Sequence, residues 1–202
     1  MNTIFFINIH LLKTKRIVLF ASGSGSNVEN IVRYFQTKPN VTIASVLTNK
    51  RDAKVIDRCN RLNICSLCFN KIAFHETDCI LDLLKSINPD LIVLAGFLWK
   101  IPGNIIKAFP DRIINIHPAL LPKYGGKGMY GDRVHKAVKE NDETESGITI
   151  HYVNEYYDEG TIIHQAKTKI SADDNAEDIA AKVHALEYEH FPKVIEQLLL
   201  SQ

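Results

Sequence analysis

Cysteine is scarce, with four in 202 residues. That is too few to staple a chain of this size, so the fold must rest on its core and suits a reducing compartment such as the cytoplasm. Net charge is nearly absent too. Lys and Arg number 24 against 23 Asp and Glu, a formal +1, so there is no basic field for a nucleic-acid partner. No apolar run approaches the roughly 18–20 residues that cross a bilayer, which argues against a membrane partner. The apolar start, TIFFINIHLL over 3–12, is followed rather than preceded by positive charge, at Lys13, Lys15 and Arg16, the reverse of a secretory signal. Residues 1–15 therefore read as an N-terminal extension: an added strand, a disordered lead, or an artefact of the chosen start. Repeats, low-complexity tracts and linkers are missing as well, which leaves 16–202 as a single domain.

What is present is an alternation. The apolar run 17–20 meets the turn cluster 21–27, after which Val28, Ile31, Val32 and Phe35 fall at helical spacing. Strand then helix repeats at 41–47 and 53–62, and at 64–69 and 77–87. The continuously apolar LIVLA at 91–95 fits a parallel strand covered on both faces. A short helix at 103–109 precedes a second buried strand at 112–116, a Pro- and Gly-rich loop at 117–130 and a helix at 132–141. The period then changes to an antiparallel pair, 147–153 and 161–170. A last helix at 175–199 opens with Glu177 and Asp178, which suit a helix N-terminus, and Pro192 is expected to kink or split it. The pattern predicts a doubly wound, mostly parallel α/β sheet with a C-terminal antiparallel hairpin and a long final helix. Ligands of such sheets sit beyond the carboxyl ends of the strands.

Two groups of residues follow strands. Gly23-x-Gly25 reads either as a phosphate cradle, with Ser26 and Asn27 as added donors, or as a merely tight turn. Val28 replaces the third glycine of a dinucleotide fingerprint, and Thr48-Asn49-Lys50 stands where a ribose-binding acid belongs. A single phosphate monoester therefore fits better than a nicotinamide cofactor. Strand alternation sends Asn115 and His117 to one side at a strand end. An amide beside an imidazole suits acyl transfer, with Asn115 donating to an oxyanion and a protonated His117 exchanging a proton. A core histidine bonded to backbone is the plainer alternative. Asp158 lies in a turn, where an exposed carboxylate is ordinary. Folded back onto His117, it would raise the imidazole pKa and hold the ring.

With these residues in hand the chain resembles the glycinamide ribonucleotide formyltransferases, the folate-dependent enzymes of purine synthesis. The resemblance rests on ASGSGSN (21–27), LAGFL (94–98), RIINIHPALLPKY (112–124), GITIHYV (147–153) and DEGTIIHQAK (158–167). It implies a Rossmann-like formyltransferase fold and transfer of the formyl group of 10-formyltetrahydrofolate, a co-substrate, to glycinamide ribonucleotide. It implies no metal, only small-molecule substrates, and a cytoplasmic monomer or homodimer. It makes Asn115, His117 and Asp158 catalytic, gives the ribonucleotide to Gly25, Ser26, Asn27 and Glu187, and gives the folate to Leu98, Trp99, Lys100, Ile101 and Asn115. Trp99 departs from the arginine of many relatives, and the 125–131 segment is longer than in some.

The remaining candidates read more plainly. Cys65-x-x-Cys68 has metal-like spacing, but without a second such pair the four cysteines are expected to be thiols packing a βαβ unit. Lys123 and Lys127 are candidates for a phosphate or a folate tail. His135 and His151 are candidates to support the site, while His164, His184 and His190 read as packing or surface residues. Rival functions are a formyl hydrolase, a transferase acting on another amine, and a non-catalytic folate- or phosphate-binding module. The first two would carry further domains, and the last has no use for all three catalytic groups.

Overall fold

The computed structural model describes residues 14–201. The proposed N-terminal extension thus lies almost wholly outside the described residues, although Lys15 already belongs to the sheet, where it pairs with Val41. The strands are β1 (Lys15–Phe20), β2 (Val41–Thr48), β3 (Ser66–Cys68), β4 (Leu91–Leu94), β5 (Ile113–His117), β6 (Glu145–Tyr152) and β7 (Ile162–Lys169). The helices are α1 (Ser26–Phe35), α2 (Val55–Leu62), α3 (Lys71–His75), α4 (Cys79–Ile87), α5 (Gly103–Ala108), α6 (Asp132–Glu140) and α7 (Ala176–Leu200). All seven strands form one sheet in the order β3-β2-β1-β4-β5-β6-β7. The first five are parallel, and β6 and β7 run antiparallel to their neighbours. The doubly wound sheet with a C-terminal hairpin is therefore as the sequence pattern predicts.

Alternation along β1 explains why its residues are apolar without a break. Ile17 and Leu19 face a core shared with α1, α2, α6 and α7. Val18 and Phe20 face a second core with α3, α4 and α5. Burying one such side chain is worth roughly 1.5–3 kcal/mol, so both faces pull the strand inward. The chain leaves β1 on one side for β2 and returns on the other as β4. That reversal opens a crevice at the carboxyl ends of β1 and β4, bridged where the Ser22 N–H donates to Gly96 O at 3.0 Å.

Three elements depart from expectation. α3 is an added short helix, capped by Asn70, whose Oδ1 accepts from Ala73 N–H at 2.9 Å. β3 is trimmed to Ser66–Cys68. Most tellingly, α7 runs through Pro192 without splitting. A proline cannot donate to the carbonyl four residues back, here Tyr188 O. Asn30 of α1 fills the gap, with its Nδ2 donating to Tyr188 O at 2.9 Å. This bond belongs to a seam joining α1 to α7. Asn27 Nδ2 donates to Glu187 Oε2 at 2.9 Å, the Tyr34 hydroxyl donates to Glu196 at 2.6 Å, and Lys38 pairs with Glu196. Asn30→Ala is expected to cost about 1 kcal/mol, lowering Tm by about 2–4 °C in a thermal melt, with little change in turnover. The start of α7 carries its own lock: Asn175 Oδ1 accepts from Glu177 N–H and Asp178 N–H, and Asp178 Oδ2 accepts from Asn175 N–H. Among the described residues no helix is long and apolar enough to cross a membrane.

Candidate active site

The glycine loop is built by exclusion. Gly25 sits at φ +73°, and a Cβ there would lie 2.4 Å from Val55 Cγ2 and 2.9 Å from Val55 Cα. Only glycine fits both the left-handed backbone and the space. The turn delivers the start of α1 with no side-chain cap, so its first N–H groups stay available to an anion. Asn27 turns its amide to Glu187, which leaves backbone N–H and the Ser26 hydroxyl as the anion-facing donors. Glu187 Oε2 also meets His184 Nδ1 at 2.9 Å. That bond raises the His184 pKa above its ordinary value, outweighing partial burial. Asn27 Oδ1 and His135 Nδ1 are buried at residues lining the same cavity, with no hydrogen-bond partner among the described residues.

Asn115 and His117 end β5 on one side, opposite His151 and Thr149 of β6. Asp158 folds back to them rather than standing in solvent, at φ +57° in the β6–β7 turn. Its Oδ2 is 3.5 Å from His117 Nδ1 and accepts from Gly126 N–H at 2.9 Å. Its Oδ1 lies 3.5 Å from Asn115 Nδ2 and 3.6 Å from His151 Nε2. Asn115 Nδ2 also donates to His151 Nε2 at 3.1 Å, while His151 Nδ1 donates to Tyr152 O at 2.8 Å. The 3.5 Å contacts are long for direct proton transfer and suit a site that tightens on substrate or works through one water.

One expectation about charge is corrected. Asp158 does push the His117 pKa upward, but burial pushes it down harder, so the net direction is below the ordinary 6.5. His117 therefore rests as neutral imidazole near pH 7, not as a standing cation. For Asp158 itself burial acts to raise the pKa. The neighbouring His151 and His117 rings and the Gly126 N–H outweigh it, and the carboxyl ends below its ordinary value.

The other half of the cavity is flatter and less polar. Leu98 is partly exposed, its N–H anchored on Ser22 Oγ at 2.9 Å, and that hydroxyl in turn donates to Asn49 Oδ1 at 2.7 Å. Trp99 packs with Phe69, Phe74, His75 and Phe97, and Ile101 is buried in the core that Trp99 covers. Lys100 Nζ stands 5.6 Å over the Tyr157 ring. The two halves share one cavity of about 630 Å³, walled also by the Gly126–Gly131 loop, large enough for a drug-sized ligand.

These features converge with what the chain is similar to. A family model described as formyl transferase matches residues 15–195. The chain belongs to the formyl transferase family. It is 38% identical over 192 residues to a chloroplastic phosphoribosylglycinamide formyltransferase of Arabidopsis thaliana, covering 92% of this chain and 66% of that one. It therefore spans just under two thirds of the length of that plant relative. It is also 38% identical to the phosphoribosylglycinamide formyltransferase of Bacillus subtilis, over 92% of this chain and 95% of that relative. Among solved structures, the glycinamide ribonucleotide transformylase of Geobacillus kaustophilus superposes with a TM-score of 0.83 at 34% identity. That match covers 92% of this chain and 99% of the other.

Set in this formyl transferase frame, all eleven site residues expected from the sequence line the one cavity. Other expectations fail. Lys123 is drawn away to Glu143 at 2.7 Å, leaving Lys127 at the cavity. Of the four cysteines only Cys59 is a buried thiol; Cys65, Cys68 and Cys79 are exposed. Burial pushes the Cys59 thiol up to about 11, which makes it inert at neutral pH. His184 is not merely packing: its i,i+3 spacing from Glu187 on a helix was the available signal.

Proposed function

We propose that this chain transfers the formyl group of 10-formyltetrahydrofolate to the amine of glycinamide ribonucleotide, giving formylglycinamide ribonucleotide and tetrahydrofolate. The observation that carries the reading is the return of Asp158 onto His117 beside Asn115. It occurs in the same cavity as an uncapped helix start and Glu187. The orphaned Asn27 Oδ1 and His135 Nδ1 support a polar occupant in that half. The names of the relatives support the choice of amine.

The chain's groups divide the work. Gly25, Ser26 and Asn27 hold the phosphate through the first N–H groups of α1, and Glu187 accepts from the ribose hydroxyls. Leu98, Trp99, Lys100 and Ile101 flank the pterin, and Asn115 meets the folate at its formyl oxygen. The amine lone pair attacks the formyl carbon, and the carbonyl electron pair moves onto oxygen. Asn115 Nδ2 donates to that oxyanion. His117 Nδ1 takes the proton the amine sheds, because the ring starts neutral and Nε2 is engaged with Tyr124 O at 2.7 Å. Asp158 stabilises the resulting imidazolium. His117 then delivers the proton to the folate nitrogen as its bond to the formyl carbon breaks and the carbonyl re-forms. One domain from Arg16 onward carries all of this, working on small molecules in an aqueous compartment, as monomer or homodimer in the cytoplasm.

The deciding experiment is turnover of 10-formyltetrahydrofolate by purified protein with and without glycinamide ribonucleotide. Folate release should require the amine; release that ignores it would mean hydrolysis instead. Ser26→Asp, an anion set where the phosphate binds, should raise KM for the ribonucleotide at least about tenfold, or about 1.4 kcal/mol. KM for folate should hardly move. Equal losses for both substrates would overturn the division of the cavity.

A further inference from the structure

His117 has two ring nitrogens, and the choice between them is made outside the substrate cavity. Nε2 lies 2.7 Å from Tyr124 O. A carbonyl only accepts, so Nε2 carries the proton and Nδ1 is left bare toward Asp158. The carbonyl itself is held in an uncommon conformation. Tyr124 sits at φ +58°, a left-handed position that a residue with a Cβ rarely adopts. The next residue, Gly125, has no room to adjust with a side chain, since a Cβ there would stand 2.5 Å from Leu121 Cδ2.

What holds the peptide is the Tyr124 side chain. Its hydroxyl donates to Glu143 Oε1 at 2.9 Å, and Lys123 Nζ donates to the same oxygen at 2.7 Å. Tyr124, Lys123 and Glu143 line a separate cavity of about 220 Å³, and none of them lines the substrate cavity. The hydrogen bond from Lys123 keeps Glu143 ionised by lowering its pKa. Burial, aided by Glu143, raises the Tyr124 phenol, so it stays a donor at neutral pH.

We propose that Glu143 and the Tyr124 hydroxyl are positioning residues for His117. By tethering the Tyr124 side chain they keep its carbonyl on Nε2, which fixes the tautomer that leaves Nδ1 as the working nitrogen. The proposal deepens the formyl-transfer reading and rests on His117 being the proton carrier. The charged and titratable groups facing His117 are Asp158 from the β6–β7 turn, His151 from β6, His135 from α6 and Glu187 from α7. Glu143 faces Lys123 and Tyr124.

The test uses the full chain as wild type, Tyr124→Phe, Glu143→Ala and Glu143→Gln. The first readout is the ¹⁵N signature of the His117 ring without substrates; the second is kcat and KM across pH. Wild type should show the Nε2–H tautomer. Tyr124→Phe, which removes one oxygen, and Glu143→Ala should mix in the Nδ1–H form and displace the acid limb of the rate profile. In both, kcat should fall about tenfold while KM for either substrate holds within about twofold. Glu143→Gln keeps an acceptor and should restore most of the rate. A lowered Tm with tautomer, pH profile and kcat unchanged would overturn the proposal, as would a lost rate with an unchanged ¹⁵N spectrum. If wild type does not turn over glycinamide ribonucleotide, the functional reading fails, and the tautomer of the variants still decides the positioning role.

Discussion

His117→Ala should lower kcat by about 10²–10⁴-fold, the usual worth of a positioned proton carrier, or about 3–5 kcal/mol of barrier. The ring is 3% exposed, with Nε2 tied to Tyr124 O, so Nδ1 alone is free to meet the amine. No neighbour can replace it. His151 Nε2 accepts from Asn115, and His135 belongs to α6 rather than to the strand end that carries Asn115. KM for both substrates should change little, because the proposed role sets the ring at the reacting atoms rather than at the phosphate or the pterin. Steady-state kinetics with circular dichroism as a folding check decides it. A folded variant with near-normal rate would remove His117 from the chemistry.

Asp158→Asn should cost at least about 10²-fold in kcat, as loss of the charge beside a catalytic imidazolium does elsewhere. The variant is nearly isosteric, and its Oδ1 can still accept from Gly126 N–H, so the turn should keep its shape. The pH dependence gives the sharper signature. Asp158 acts to raise the His117 pKa against burial; without it burial is less opposed and the pKa drops further. The acid limb of kcat/KM must therefore move to lower pH. Stability follows the carboxylate's own shift. Its folded pKa is depressed, so it contributes stability above its unfolded value of about 3.9 that is lost as pH falls through the folded value. In Asp158→Asn that contribution is absent at neutral pH already. Unchanged rate and unchanged acid limb would together dissolve the His117–Asp158 pairing.

The sheet was legible because its physics is local. Runs such as 17–20 and 91–95 have no polar residue to face water, so they can only be strands covered twice. α3 was not, because five residues hold no helical period. The persistence of α7 past Pro192 was not either, since its remedy is Asn30, 158 positions from the carbonyl it satisfies. The site divides in the same way. Asn115 and His117 are two apart on one strand, and alternation puts them together. Asp158 reaches Asn115 across 43 positions, and only the fold brings its turn inward. The resting charge of His117 was misjudged because burial, invisible in a linear chain, outweighs the neighbouring carboxylate.

The row of contacts from α1 to α7 makes the glycine-loop end of the cavity a finished mould. Asn27 and Asn30 grip adjacent positions of α7, so the first amides of α1 and Glu187 are tied together. The wall beyond β5 leans instead on glycine-bearing and turn segments, 125–131 and 154–160. Asp158 sits in one of those loops and takes its firmest bond from the other, at Gly126. The carboxylate that meets His117 is thus anchored in the wall of the cavity itself, through the segment opposite its own turn.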